Sequence, residues 1–329
     1  MSEFLEAEKR RLSTFKVTSS YFSDAARADG IYKGNPRPFC VPRMYAEENL
    51  FPGIRQTITA YFEKYEIKWH DGRDRRPSNH LCDSQVCCAN FLFPFADKPV
   101  ALTELLHLLF PSVQRVLPLE QAEQFVSFEW IGQDNYLGEK MPRHGKRTRG
   151  ANFTSADAAV MFEQNDGSKQ IVLIEWKYTE SYSSTPLKTA KSGTDRTAIY
   201  AHLYNRDDFP LQKELLPGFE SLFYEPFYQL MRQQLLAYEM ERAHELGAEA
   251  VSLLHIAPAH NTDFQRVTSP ALGVLGDSVI EIWKKLQRYP NRFASVSTEE
   301  LFNKLPVEKF PELSGWWEYI TTRYSWTQE

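Results

Sequence analysis

The chain has 329 residues, of which 42% are hydrophobic and 25% are charged, a balance that indicates a globular protein with a sizeable core. Its net charge of −5 at neutral pH argues against nucleic-acid binding that depends on overall positive charge, but not against binding through a local basic surface. No apolar run approaches the roughly 20 residues of a membrane span. The charged first residues lack the apolar segment of a signal peptide, so we expect a cytoplasmic protein with no membrane partner.

The N-terminal segment, residues 1–125, predicts a helical and irregular elaboration that packs on a core further along the chain. Apolar residues recur with helical spacing over 54–66 and again over 101–110. Another helix is predicted over 78–95, entered near Ser78 and closed by a proline.

Four cysteines lie in this segment, at Cys40, Cys82, Cys87 and Cys88. The last three could join His80 in a zinc site, but no CxxC motif is present and the spacing fits known zinc modules poorly. We therefore favour buried free thiols, which pack as small apolar groups.

A short strand is predicted over 126–131, where apolar and polar residues alternate. Glu129 lies within it and is either an extra metal ligand or an exposed carboxylate on an edge strand, and we favour the exposed carboxylate. Residues 140–149 are then strongly basic and end eight residues before Asp157. They are either a solvated loop or a surface that binds phosphates, and the candidate phosphate contacts are Lys140, Arg143, Lys146, Arg147 and Arg149.

Residues 152–182 contain two apolar segments around a polar turn and predict a β-hairpin. Its first strand covers 156–163 and its second covers 170–178. Both faces of the second strand are apolar, so we expect a central strand that is covered by layers on both sides. Because side chains alternate between the faces of a strand, Glu175 and Lys177 share one face.

The length of the turn decides whether Asp157 joins this pair. A two-residue loop, Asp166–Gly167, would set Asp157 on the wrong face. A three-residue loop that begins at Asn165 sets Asp157 opposite Glu175. We favour the three-residue loop, with Gly167 in the left-handed conformation.

Two carboxylates that oppose each other across a strand pair repel unless a cation lies between them. Oxygen ligands with room for water suit Mg²⁺ or Mn²⁺. A nearby lysine can orient or deprotonate a water and stabilise negative charge as it develops. Asp157, Glu175 and Lys177 therefore predict hydrolysis of phosphodiester bonds. The alternative is a buried ion pair that only satisfies its own charges.

Asp157, followed by an apolar strand with Glu175, Trp176 and Lys177, resembles the signature of the PD-(D/E)xK nuclease superfamily. The proline that usually precedes the aspartate is Ala156 here. The string IEWKYTESY is also similar to bacterial restriction-endonuclease-like proteins. The resemblance implies a Mg²⁺-dependent DNA endonuclease of restriction, defence or DNA processing, in which Mn²⁺ can substitute and Asp157 and Glu175 hold the metal.

A long helix predicted over 225–246 leads to an apolar strand at 251–257. A helix that returns to a strand of the same sheet implies a parallel, right-handed crossover. With a helix before the first strand, the order is αβββαβ, an α/β fold that matches the restriction-endonuclease-like core over 126–257. We expect a central mixed sheet flanked by helices, with 258–329 as a C-terminal helical extension.

Within the long helix, Gln234 and Tyr238 match the QxxxY pattern of RecB-like members of the superfamily, and the resemblance places Gln234 in the catalytic site. Positions four apart lie on one face of a helix. Gln229 and Arg232 are candidates for a supporting role, and Arg232 would suit a phosphate. The alternative for all four is an exposed polar stripe.

The resemblance extends to the string SQVCCANFLFP at 84–94, whose polar residues either face the site or only cap and pack. The polar loop 181–205 leaves the catalytic strand and either closes over a substrate or is ordinary surface. DNA is the expected partner, and a homodimer or a partner subunit is compatible with the acidic chain. The alternative function is a nucleic-acid-binding or assembly protein that keeps the fold without catalysis.

Overall fold

The computed structural model describes residues 2–72, 74–120, 123–141, 145–151 and 153–328. Its strands are β1 (Gly30–Tyr32), β2 (Asn35–Arg37), β3 (Val113–Leu117), β4 (Ser127–Trp130), β5 (Ala156–Gln164), β6 (Lys169–Trp176), β7 (Ala250–Ala257) and β8 (Phe293–Ser297). Its α-helices are α1 (Glu3–Thr18), α2 (Arg55–Lys64), α3 (Ser84–Leu92), α4 (Pro99–His107), α5 (Thr197–Tyr204), α6 (Phe227–Arg242), α7 (Val279–Leu286), α8 (Thr298–Asn303) and α9 (Ser314–Arg323).

Six of the strands form one mixed sheet. Strands β3 and β4 both pair antiparallel with β5, one along each half of it. Strand β5 pairs antiparallel with β6, β6 pairs parallel with β7 and β7 pairs parallel with β8. Helix α6 connects β6 to β7, as the crossover requires. The sheet and its flanking helices confirm the predicted α/β class. The predicted order αβββαβ corresponds to α4, β4, β5, β6, α6 and β7.

The sheet is wider than the predicted core of 126–257. Strand β3 precedes that segment and β8 follows it, yet both pair with its strands. The C-terminal extension over 258–329 is therefore not only helical. The sequence signals for these strands are weak because each has five residues and lies at the edge of the sheet.

The hairpin turn has the favoured length of three residues. Glu163 pairs with Lys169, and the Gln164 N–H donates to the Ser168 carbonyl at 2.8 Å, which closes the loop around Asn165–Gly167. Gly167 has φ +84°, the left-handed conformation that glycine adopts without a steric cost. The three-residue register is therefore confirmed.

Both faces of β6 are buried, as predicted for a central strand. One face carries Val172, Ile174 and Trp176. It packs against helices that come before the predicted core in the sequence (α1, α2, α3 and α4) and after it (α8 and α9). Ile171 and Leu173 pack on the other face against α5, α6 and α7. Glu175 and Lys177 belong to this second face, which is the one that α6 covers.

The two ends of the described chain meet behind β6. Glu8 on α1 accepts hydrogen bonds from the Tyr178 hydroxyl and from the Trp326 indole N–H, the latter at 3.0 Å. Arg11 pairs with Glu8 and also donates to the Arg323 carbonyl. Tyr178 directly follows Lys177, so residues from both ends of the described chain contact the segment at the end of β6.

Several helix boundaries differ from the predictions for local reasons. Helix α3 begins at Ser84 rather than near Ser78, because the Asp83 side chain accepts the Val86 N–H at 2.9 Å and caps it. Helix α6 ends at Arg242, four residues before the predicted end. The second half of the predicted 181–205 loop forms α5.

The four cysteines are buried with free thiols, and burial raises the pKa of Cys82, Cys87 and Cys88.

Among the helices of the described residues, none combines the length and the apolar character that crossing a membrane demands.

Candidate functional site

A row of polar residues crosses the sheet where β4 to β8 lie side by side. The β4–β5 register sets Glu129 opposite Asp157, and the β5–β6 register, continued by one residue, sets Asp157 opposite Glu175. Glu175 pairs with His255 of β7, and His255 pairs with Ser295 of β8. Residues that are opposite each other in paired strands project from the same face. Five strands therefore bring three carboxylates, a histidine and a serine to one line across the sheet.

Asp157 lies between Glu129 and Glu175 in this row and is partly exposed. Its Oδ2 accepts the Trp176 backbone N–H at 2.8 Å. Burial raises the pKa of the Asp157 carboxyl well above its usual value, and the neighbouring carboxylates of Glu175 and Glu129 add to that rise. The site thus concentrates negative charge that a cation would neutralise.

Glu175 is fully buried and has a cation and an amide as partners. One carboxylate oxygen forms an ion pair with Lys177 Nζ, and the other accepts a hydrogen bond from Gln233 Nε2. Lys177 also donates to Gln229 Oε1 at 2.7 Å. Burial alone would lower the pKa of Lys177, but Glu175, Tyr182 and further carboxylates outweigh it, and the pKa lies well above the usual value. Lys177 is therefore a cation at neutral pH.

Helix α6 meets the site through Gln229 and Gln233, which are four positions apart and share one face. Gln233 Nε2 also donates to the Ser155 carbonyl at 3.1 Å, which links the helix to the start of β5. The prediction that Gln234 faces the carboxylates is wrong by one position. Gln234 is buried, and its Oε1 has no hydrogen-bond partner among the described residues.

Tyr238 also lies away from the carboxylates. Its ring stacks on Tyr289 with centroids 6.0 Å apart, and its hydroxyl contacts Asp208. The QxxxY pattern is present in the sequence, but its two members do not contact the site. The glutamine at position 233 could have been found from its i+4 spacing to Gln229, a pattern that the QxxxY match obscured.

Glu129 is buried, so the favoured view of it as an exposed edge carboxylate is wrong. Its carboxylate accepts hydrogen bonds from Gln85 Nε2 at 2.6 Å and from the Ser155 hydroxyl at 2.8 Å. His70 Nε2 lies 3.4 Å from Glu129 Oε1. Its backbone has φ +49°, an uncommon conformation for a residue with a side chain. Burial raises the pKa of Glu129. Gln85 comes from α3, so the 84–94 string does contact the site.

His255 is another buried residue of the row. Its ring stacks on Phe264 at a centroid distance of 4.7 Å, and Nδ1 lies 3.1 Å from the Ser295 hydroxyl. Burial, with a smaller contribution from Lys177, lowers the pKa of His255 to about 3, so it is neutral near pH 7. Its Nε2 has no hydrogen-bond partner among the described residues.

The predicted phosphate contacts divide into two groups. Arg149 pairs with the buried carboxylate of Glu120 and donates to the Phe128 carbonyl at 2.9 Å. Arg147 donates to three consecutive backbone carbonyls, one of them that of Gly132 at 3.1 Å. Both arginines make contacts within the protein, which favours a structural role for them over a phosphate contact.

The other basic residues of the run are differently placed. Lys140 is exposed, and Lys146 is exposed and pairs with Glu66. Arg143 lies outside the described residues. Arg232 donates to the Thr154 hydroxyl at 3.3 Å and lies over the ring of Tyr228.

Asp157, Glu175 and Glu129 have the donor type for a hard divalent cation, and the carboxylate of Glu129 is already held by Gln85 and Ser155. Within the ranges that the structure describes, no group of three or more His, Cys, Asp or Glu side chains is close enough together to hold a metal ion. The geometry thus provides a carboxylate pair with a lysine and two glutamines around it, and not a closed metal cage.

The comparisons with known proteins give one result that covers almost the whole chain. No curated protein and no solved structure matches the chain. One family model matches residues 9–325, a stretch that includes every residue of the site described above. The chain belongs to the family described as restriction endonuclease associating with ARP.

Proposed function

We propose that this chain is a metal-dependent nuclease of the PD-(D/E)xK type that hydrolyses phosphodiester bonds of DNA. The observation that carries the proposal is the register of β5 and β6, which opposes Asp157 and Glu175, with Lys177 on the same face as Glu175. The family description, which names a restriction endonuclease, supports an endonuclease acting in restriction or defence.

Mg²⁺, for which Mn²⁺ can substitute, is the cation that suits these residues. Mg²⁺ prefers oxygen donors and keeps several waters, so one or two carboxylates suffice. Asp157 and Glu175 would hold it. Burial and, after it, the repulsion from Glu175 raise the pKa of Asp157, and a bound cation would offset both. When bound, the metal ion supplies Lewis-acid polarisation of the scissile phosphate and a lowered pKa for water.

The protein side chains bind the phosphate and orient the metal ligands. Lys177 stays protonated, so its role is to donate hydrogen bonds to the phosphate and to neutralise the charge that develops there. Gln229 orients the lysine through its Oε1, and Gln233 orients Glu175 through its Nε2. Glu129 adds negative field from the neighbouring strand, where Gln85 and Ser155 hold its carboxylate.

One observation favours a second candidate function. Glu175 already has Lys177 and Gln233 as partners, which is how a buried ion pair satisfies itself. Such a pair would suit a protein that binds nucleic acid or assembles with the partner named in the family description, without catalysis. The two candidates differ in whether the purified protein cuts DNA.

We expect purified protein to cleave plasmid DNA with Mg²⁺ or Mn²⁺ and to stop when EDTA removes the metal. Lys177→Gln should lower the rate by roughly 100- to 1,000-fold, the usual loss when a donor to developing charge is removed. Lys191→Gln is the matched control, because Lys191 is an exposed lysine of the loop after β6. DNA binding without cleavage under all metal conditions would establish the second candidate instead.

A second test concerns the basic run. Lys140→Gln combined with Lys146→Gln should weaken DNA binding equally for all sequences and reduce the salt slope by about 1 per lysine that contacts a phosphate. Arg149→Gln should instead lower the free energy of unfolding by roughly 3 kcal/mol, because the buried Glu120 loses its partner. Filter binding across a salt series and urea unfolding measure the two effects. An unchanged salt slope in the double lysine variant would contradict the phosphate role.

A further inference from the structure

A cleft of about 480 Å³ opens beside the carboxylate row, between α5, α6 and the segment before β5. This volume lies within the range of small-ligand sites. Its wall carries cationic, aromatic and acidic side chains, among them Lys140, Arg196, Tyr200, Glu225, Tyr228 and Arg232.

The cleft adjoins the site through helix α6 and the turn before it. Glu225, on the cleft wall, accepts the Gln229 N–H at 3.3 Å, and Gln229 accepts a hydrogen bond from Lys177 at 2.7 Å. One turn of helix therefore separates the cleft from the site lysine. On the other side, Arg232 donates to Thr154, which precedes the Ser155 that bonds to Glu129.

Two arginines in the cleft wall have donors that the described residues do not use. Arg232 makes one hydrogen bond to a described residue, at 3.3 Å, and its buried Nε has no such partner. Arg196 donates to the Leu187 carbonyl at 2.9 Å. Neither forms an ion pair with a described carboxylate, whereas Arg206 and Arg292 each pair with a glutamate, at 2.8 and 2.6 Å.

Both guanidinium groups lie against the same ring. Arg232 is 4.7 Å and Arg196 is 5.7 Å from the centroid of Tyr228. The stacked ring restrains the two planar groups and leaves their edges for ligands. A guanidinium that is partly desolvated and lacks a carboxylate is stabilised by an anion from outside, and phosphate matches its fork of donors.

The acidic residues of the cleft do not cancel this preference. Glu139 is occupied, because it accepts hydrogen bonds from the Thr154 N–H, the Thr154 hydroxyl and the Tyr200 hydroxyl. Glu225 is half-buried, and its Oε2 accepts the Gln229 N–H. Lys140 adds a third cation at the rim, so cationic groups outnumber acidic ones.

We infer that this cleft is a subsite that binds the phosphate next to the bond to be cut on Arg196 and Arg232. The inference rests on the proposed function, since it assigns the cleft to the same DNA strand. The arginine donors contact the phosphate and not the base, so the subsite accepts any nucleotide at this position.

The test uses metal-free protein and thymidine 5′-monophosphate, followed by isothermal titration calorimetry. We expect saturable binding, and binding of unphosphorylated thymidine weaker by about tenfold or more, the size of one or two charged hydrogen bonds. Arg196→Gln and Arg232→Gln should each weaken the binding of the monophosphate by about tenfold as well. Arg37→Gln, an equal change of charge on the exposed β2 strand, should leave the affinity unchanged.

If thermal unfolding shows that the Arg232→Gln variant is not folded, the Arg232→Lys variant is used in its place. Lysine keeps the positive charge and removes the planar fork of donors. Equal binding of thymidine and its monophosphate, or unchanged affinity in both cleft variants, would overturn the subsite. Its failure is separable from that of the nuclease proposal. The titration needs neither metal nor cleavage, whereas cleavage that persists in Asp157→Asn would overturn the nuclease site alone.

Discussion

Asp157→Asn and Glu175→Gln are expected to abolish cleavage alike but to change stability in opposite directions. Each removes one negative charge with almost no change of shape. Asp157 forms no ion pair with a described residue, and burial and Glu175 oppose its charge more than Lys177 favours it, so its removal should leave the metal-free protein equally stable or more stable. Glu175 neutralises the buried Lys177, so Glu175→Gln should lower the free energy of unfolding by roughly 3–5 kcal/mol.

Urea unfolding of each variant without metal, together with plasmid cleavage at equal concentrations of folded protein, measures both effects. Mn²⁺ should raise the stability of the wild type and have little effect on either variant, because each loses one of the two proposed ligands. Asp166→Asn, in the exposed hairpin turn, is the control for removal of a carboxylate from the same hairpin. Wild-type cleavage by folded Glu175→Gln would exclude the site, and a loss of stability in Asp157→Asn would show that its carboxylate is a structural partner.

Gln233→Met is expected to lower cleavage by roughly 10- to 100-fold, the usual cost of removing a group that orients a metal ligand. The substitution keeps the length of the side chain but removes the N–H that Glu175 accepts and the contact to Ser155. Gln234→Met should keep activity and equal or exceed the wild type in stability, because it removes a buried amide oxygen without a partner.

These two variants differ by one position on the same helix, so each is the control for the other. Tyr238→Phe is a further control, since its hydroxyl contacts Asp208 and not the carboxylate row. Cleavage rates and metal affinity, determined from a Mn²⁺ titration, should separate Gln233→Met from both controls. A large loss in Gln234→Met with none in Gln233→Met would restore the QxxxY assignment and contradict the contacts described here.

The hairpin and its charged residues could be predicted because their signals are local. Asn165-Asp166-Gly167 specifies a turn of defined length, and that length fixes which side chains oppose each other. The alternation of apolar residues then places Glu175 and Lys177 on one face. No distant part of the chain is needed for either inference.

The contacts that were missed depend on tertiary packing. Successive helical residues point about 100° apart, so the rotation of α6 about its axis decides whether Gln233 or Gln234 faces the site, and the packing of α6 on β7 sets that rotation. Glu129 is turned inward by a left-handed backbone that its sequence does not signal. Arg149 is indistinguishable from a phosphate-binding arginine until Glu120 is known to lie beside it.

The contacts of Glu8 with Tyr178 and Trp326 also constrain the order in which the protein assembles. Glu8 and Trp326 are 318 residues apart, so their contact closes only after nearly all of the matched sequence has left the ribosome. Until then β6 lacks the partners that hold its last residues, although its hairpin with β5 can form early. On the proposed function, a growing chain therefore carries Asp157, Glu175 and Lys177 before the contacts from both ends of the described chain hold β6 in place, and we expect it to lack cleavage activity until those contacts form.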